Sequence, residues 1–101
     1  MDLFASQSLC VLEMIDKKCY MYVVRCNDGT LYTGVTNSIK RRLHEHNNTS
    51  KGAKYTRYRR PVELIYQVEY DTRSFALKAE YKFKQLRRSE KIRIIERSYE
   101  T

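Results

Sequence analysis

Tyr22 and Tyr32, Arg42 and His46, and Glu80 are the residues through which this chain can act on a substrate. A phenol, a guanidinium, an imidazole and a carboxylate can between them move a proton and hold an anion. Their spacing is as informative as their types. Tyr20 and Tyr22 alternate along a predicted strand, and Tyr32 stands on the next strand across a short turn. Arg42 and His46 are four residues apart on a predicted helix and so share a face. That face borders the apolar stripe of Ile39 and Leu43 and looks along the sheet toward the tyrosines. Glu80 sits among Lys78, Lys82 and Lys84, at the boundary of its helix's apolar stripe. Each residue has a plainer reading. Alternate tyrosines pack sheets, and nine tyrosines in 101 residues make a cluster easy to come by. A basic helix carrying a histidine can simply be solvated, and Glu80 can pair with Lys84 at i+4.

These residues need elements to position them. Residues 19–26 (CYMYVVRC) read as a strand. Asn27-Asp28-Gly29 follows as a hairpin turn, because glycine tolerates the positive φ that tight turns require. Residues 30–35 (TLYTGV) return as the second strand, where Gly34 marks a close backbone approach or the strand's end. Thr36 or Asn37 caps a helix over 38–47. Residues 48–60 (NTSKGAKYTRYRR) form a polar, strongly basic loop, and residues 61–70 (PVELIYQVEY) form a third strand begun by Pro61. Thr72 caps a helix over 72–87. There Phe75, Ala76, Ala79, Phe83 and Leu86 lie in a stripe about 100° wide. Ser89 caps a last helix over 89–98 that buries Ile92 and Ile95. The order predicts an α+β fold, a small three-stranded antiparallel sheet flanked by helices.

Size and composition bound the rest. One hundred and one residues make one domain, and at this length folding buries roughly 65% of the unfolded surface without metal or disulfide staples. With 42% hydrophobic and 32% charged residues the chain is globular rather than disordered. No apolar run approaches the roughly 18 residues of a membrane span. Cys19 and Cys26 are seven apart and would point to opposite faces of one strand, so no disulfide is expected between them. Two histidines and three cysteines without a C-x-x-C argue against a structural zinc site. Residues 1–18 read as an N-terminal arm, a loosely packed helix or extended end that can also serve for docking. Its first twelve residues (MDLFASQSLCVL) lack the basic start of a secretory signal. Free thiols and no signal predict a cytoplasmic setting.

A net charge of +8 suits a polyanionic partner. The basic segments are interleaved with tyrosine rather than large aliphatics, which favours nucleic acid over a membrane surface. Lys51, Lys54, Arg57, Arg59 and Arg60, with Tyr55 and Tyr58, are the candidate contacts to phosphates and exposed bases. A solvated loop is the plain alternative.

Taken together the set resembles the GIY-YIG nuclease family. The resemblance rests on Tyr20-Met21-Tyr22, on Tyr32-Thr33-Gly34 ten residues beyond Tyr22, on Arg42 and His46, and on Glu80 within ALKAEYKFK. It covers roughly residues 19–98 and looks closest to the small stand-alone members of that family. Their Gly-Lys-Gly-Ala-Lys-type loop is similar to Ser50–Arg57. No single motif is specific, but the ordered set is. Tyr20 replaces the first glycine of the eponymous motif, Thr33 replaces the middle residue of the second, and no asparagine follows Asn48.

The resemblance implies a metal-dependent DNA endonuclease of repair or recombination, leaving a 5′ phosphate, with RNA also open as a substrate. Glu80 would hold a single Mg²⁺ or Mn²⁺, and Arg42 would stabilise the transition state. Tyr32 would position or deprotonate the water, with Tyr22 orienting the network. His46 would assist as acid/base or hold a phosphate. The domain is expected to act as a monomer, with specificity supplied by a protein partner or by DNA structure. The rival expectation is a nucleic-acid-binding module that does not cut.

Overall fold

The strand nearest the N-terminus organises the molecule. In the computed structural model, which describes residues 18–100, β1 (Cys19–Arg25) lies between β2 (Leu31–Thr36) and β3 (Glu63–Tyr70). Both pairings are antiparallel. Because both faces of this central strand are covered, Met21, Tyr22, Val23 and Val24 are all buried, the continuous apolar run of a two-sided strand. The arm expected over 1–18, with Cys10, lies outside the described residues apart from Lys18.

The sheet separates two cores. On one face Met21 and Val23 meet Phe83 of α2 (Arg73–Lys84) and Ile95 of α3 (Arg88–Ser98). On the other, Tyr22, Val24, Cys26 and Val62 are covered by Ile39 and Leu43 of α1 (Ile39–Asn48). A register shift against β3 between Val23 and Val24 sets Leu64 opposite Val24. Leu64 thereby joins this second core. Cys19 and Cys26 are buried free thiols, as their spacing predicts. Among the described residues no helix is long and apolar enough to cross a membrane.

The predicted order of elements is the observed one, and the differences are local. Gly29 takes φ 84° in the hairpin turn. β2 extends through Thr36, so Ser38, and neither Thr36 nor Asn37, caps α1. Its Oγ accepts from Arg41 N–H at 3.3 Å. Thr72 caps α2 as expected, accepting from Phe75 N–H at 3.2 Å. Phe75 itself stands at the rim of the apolar stripe and is 55% exposed, its ring beneath the Lys78 ammonium. Helix α3 begins after Arg87, whose N–H donates to Glu90 Oε1 at 3.0 Å, and Ser89 lies inside it. Ile95 is buried there, and Ile92 only partly. The long loop is not featureless, since Lys54–Thr56 close a 3₁₀ turn.

Candidate active site

The site forms where β1, β2 and α1 meet, and a glycine makes room for it. Tyr22 stands opposite Gly34 in the β1–β2 register. A Cβ at Gly34 would come within 2.5 Å of the Tyr22 hydroxyl and 2.7 Å of its ring carbon. The bare backbone lets the ring lie across β2 and reach toward α1. There its hydroxyl meets His46 Nε2 at 2.7 Å and accepts from Arg42 Nε at 3.4 Å. Both helix residues therefore converge on Tyr22, as their four-residue spacing requires.

Arg42 is held from two further sides. Its Nη1 donates to Glu45 Oε1 at 3.0 Å and to the Lys51 carbonyl at 2.9 Å. The Arg42 hydrogen bond in turn holds the Glu45 carboxyl below the usual carboxylate range. Among the described residues Nη2 makes no hydrogen bond, which leaves one arm of the guanidinium available to a ligand. Burial pushes the Tyr22 phenol up to about 12, against the pull of the Arg42 hydrogen bond. Burial likewise pushes His46 down to about 4, helped by the charges of Arg42 and Arg60. At neutral pH both groups are uncharged.

His46 has no exposed surface. An enclosed imidazole cannot receive a phosphate, so the expectation that His46 holds one is not met; its reach is to Tyr22. Tyr32 is half-buried and packs edge-on against His46, ring centres 5.4 Å apart. Its outer side stacks on Tyr55 at 5.9 Å. Its hydroxyl has no hydrogen-bond partner among the described residues, unlike that of Tyr22. Glu80 approaches from α2, close enough for its charge to raise the Tyr22 phenol further. It also pairs with Lys84 at 3.4 Å, so the plain reading of this carboxylate and its place beside the site coexist.

The five basic residues of the loop divide into two groups. Lys51, Lys54 and Arg57 are exposed. Arg59 donates to Asp28 Oδ2 at 3.0 Å and covers the Tyr55 ring at 4.2 Å, tying the loop to the hairpin. Arg60 donates to the carbonyls of His46 and Thr49, satisfying acceptors that the end of α1 leaves open. Sequence patterning missed Asn47, which accepts from Val62 N–H at 2.7 Å and donates to Val62 O at 3.1 Å. It also missed Thr56 and Glu45. A polar residue on the sheet-facing side of α1 was the available signal for Asn47.

A three-stranded antiparallel sheet flanked by helices is the fold that the resemblance to a GIY-YIG domain implies. Residues 18–93 match the GIY-YIG catalytic domain, and the chain belongs to that family, a family of nucleases. It is 52% identical over 79 residues to a UPF0213 protein of Staphylococcus epidermidis, covering 78% of this chain and 95% of that one. A Streptococcus agalactiae UPF0213 protein is 52% identical over 82 residues, covering 81% and 92%. Two solution structures are similar. The E. faecalis protein EF2693 has a TM-score of 0.57 at 43% identity, covering 84% of this chain and 91% of its own. The UPF0213 protein BH0048 of Bacillus halodurans has a TM-score of 0.52 at 37% identity, covering 78% and 83%.

Family members use a divalent metal, and the donor set here decides what kind would fit. Among the described residues no group of three or more His, Cys, Asp or Glu side chains could cage an ion. A single carboxylate at Glu80 suits a cation that completes its shell with substrate phosphate oxygens and water, the habit of Mg²⁺.

Proposed function

We propose that this protein is a metal-dependent DNA endonuclease that hydrolyses phosphodiester bonds in DNA repair or recombination. The observation that carries this reading is the meeting of Arg42, Tyr22 and Tyr32 on one side of the sheet with Glu80 beside them. A permanently charged guanidinium with one unengaged arm is suited to a phosphate. The unpartnered Tyr32 hydroxyl is suited to a water molecule.

Arg42 binds the scissile phosphate through Nη2 and stabilises the charge that grows on it. Glu45 and the Lys51 carbonyl keep the guanidinium from swinging away. Tyr22, neutral with a pKa of about 12, accepts from Arg42 Nε and sets its angle. Tyr32 orients the attacking water. Glu80 would hold Mg²⁺ or Mn²⁺, which when bound supplies charge neutralisation at the leaving oxygen. Lys51, Lys54 and Arg57 position the backbone of the nucleic acid on either side.

Glu80→Ala tests this directly. Purified protein and the variant would be incubated with labelled duplex, single-stranded, flap and branched DNA and with RNA, in Mg²⁺, Mn²⁺ or EDTA. Cleavage that needs both the metal and Glu80, with binding spared in the variant, is the expected result. Equal cleavage by Glu80→Ala removes that residue from the reaction. Binding with no cleavage under any condition favours a non-cutting nucleic-acid module.

A further inference from the structure

The loop after α1 presents basic side chains outward and something different inward. Between the exposed Lys51, Lys54 and Arg57 lie Gly52, Ala53 and Thr56, all turned toward α1. Gly52 makes the contact close. A Cβ there would come within 2.7 Å of the Glu45 carbonyl oxygen and 2.8 Å of His46 Cα. With no side chain between them, the loop backbone rests on the last turn of the helix. Thr56 then reaches His46 Nδ1 at 2.9 Å, and neither residue has exposed surface.

We infer that Thr56 is a positioning residue, fixing the tautomer of His46 and through it the direction of the Tyr22 hydrogen bond. The argument is a count of protons. The Thr56 hydroxyl donates to the Ala53 carbonyl at 2.9 Å, so its oxygen meets Nδ1 as an acceptor. Nδ1 therefore carries the imidazole proton, and Nε2 accepts from the Tyr22 hydroxyl. Tyr22 is left with its lone pairs turned to Arg42. The Ala53 N–H also approaches Nδ1, at 3.4 Å, and pulls toward the opposite tautomer. The shorter hydroxyl contact decides between them.

Removal of the hydroxyl reverses the chain of donors. In Thr56→Val the group left beside Nδ1 is the Ala53 N–H, itself a donor. The proton moves to Nε2, which now donates to the Tyr22 oxygen. Tyr22 then accepts from both His46 and Arg42, and its own proton turns outward. The ring and the packing stay; the polarity inverts. A loop read only as a phosphate contact is thus also the outer support of the site.

The effect on catalysis rests on the nuclease reading, but the tautomer does not, so the two can fail separately. Imidazole ¹⁵N spectra of the full chain give the primary measurement. Two histidines are present, and the exposed His44 serves as the internal reference. Wild type should show His46 protonated at Nδ1, Thr56→Ser should match it, and Thr56→Val should show protonation at Nε2. An Nε2-protonated wild type overturns the inference without recourse to any variant. A folded Thr56→Val with the wild-type tautomer overturns it as well. In cleavage assays Thr56→Val should lower kcat by about 10- to 100-fold with little change in KM, and Thr56→Ser should restore it. Loss carried by KM alone would contradict a positioning role. If no form cleaves but the tautomer reverses, the nuclease reading fails and the positioning role stands.

Discussion

His46 is neutral because burial makes its charge expensive, and this has a consequence for stability. Its pKa falls to about 4 in the folded protein, against about 6.5 in an unfolded chain. Between these values the unfolded state binds the extra proton, so stability must fall as pH drops from about 6.5 to about 4 and level off below. The full shift corresponds to about 3 kcal/mol. His46→Asn removes that titration while losing the Thr56 and Tyr22 contacts. The variant should be less stable at pH 7, yet should lose about 3 kcal/mol less than wild type on acidification to pH 4. Urea unfolding at a series of pH values reads this difference. Parallel pH profiles would mean that His46 takes up its proton equally in the native and unfolded states.

At the scale of elements, β2 must carry glycine where Tyr22 crosses it. Gly34→Ala places a methyl group against the Tyr22 ring, which His46 and Arg42 hold at its hydroxyl end. The ring must shift, at a cost of about 1–3 kcal/mol as in other overpacked sites. The expected outcome is a lower melting temperature, retained sheet structure by circular dichroism, and loss of cleavage well beyond what the stability change explains. Wild-type activity in Gly34→Ala would show that the Tyr22 position is not critical. The close approach was legible from one glycine inside a strand pattern, and so were the strands and the face shared by Arg42 and His46. Periodicity is a local signal and reports such things well. It did not find Ser38 as the cap of α1, because Thr36, Asn37 and Ser38 are all good caps and the choice depends on where β2 ends. It did not find Thr56 or Asn47, whose partners lie ten and fifteen residues away. It grouped Arg59 and Arg60 with the exposed bases of the loop, since a guanidinium bound to carbonyls and one facing solvent look the same in a sequence.

For the whole molecule, the net charge of +8 is therefore not all available to a polyanion. Arg60 closes the end of α1 and Arg59 ties the loop to the hairpin at Asp28. Lys54 is exposed, and among the described residues Arg57 is held only by a 3.4 Å contact to the Ser50 carbonyl. Replacing a residue that neutralises a phosphate releases one fewer counterion on binding. Lys54→Ala and Arg57→Ala should each weaken DNA binding and lower the slope of log K against log salt by about one unit. Their melting temperatures should be unchanged. Arg60→Ala should behave in the opposite way. It leaves the His46 and Thr49 carbonyls without their donor, at a cost of about 1–3 kcal/mol, while its salt slope stays that of wild type. Fluorescence anisotropy of a labelled duplex across a salt series, beside thermal unfolding of each variant, separates the two groups. A reduced slope in a fully stable Arg60→Ala would put that guanidinium on the phosphate backbone. An unchanged slope in Lys54→Ala and Arg57→Ala would remove this face of the loop from the nucleic-acid interface, leaving the loop's support of His46 and Arg42 as its whole role.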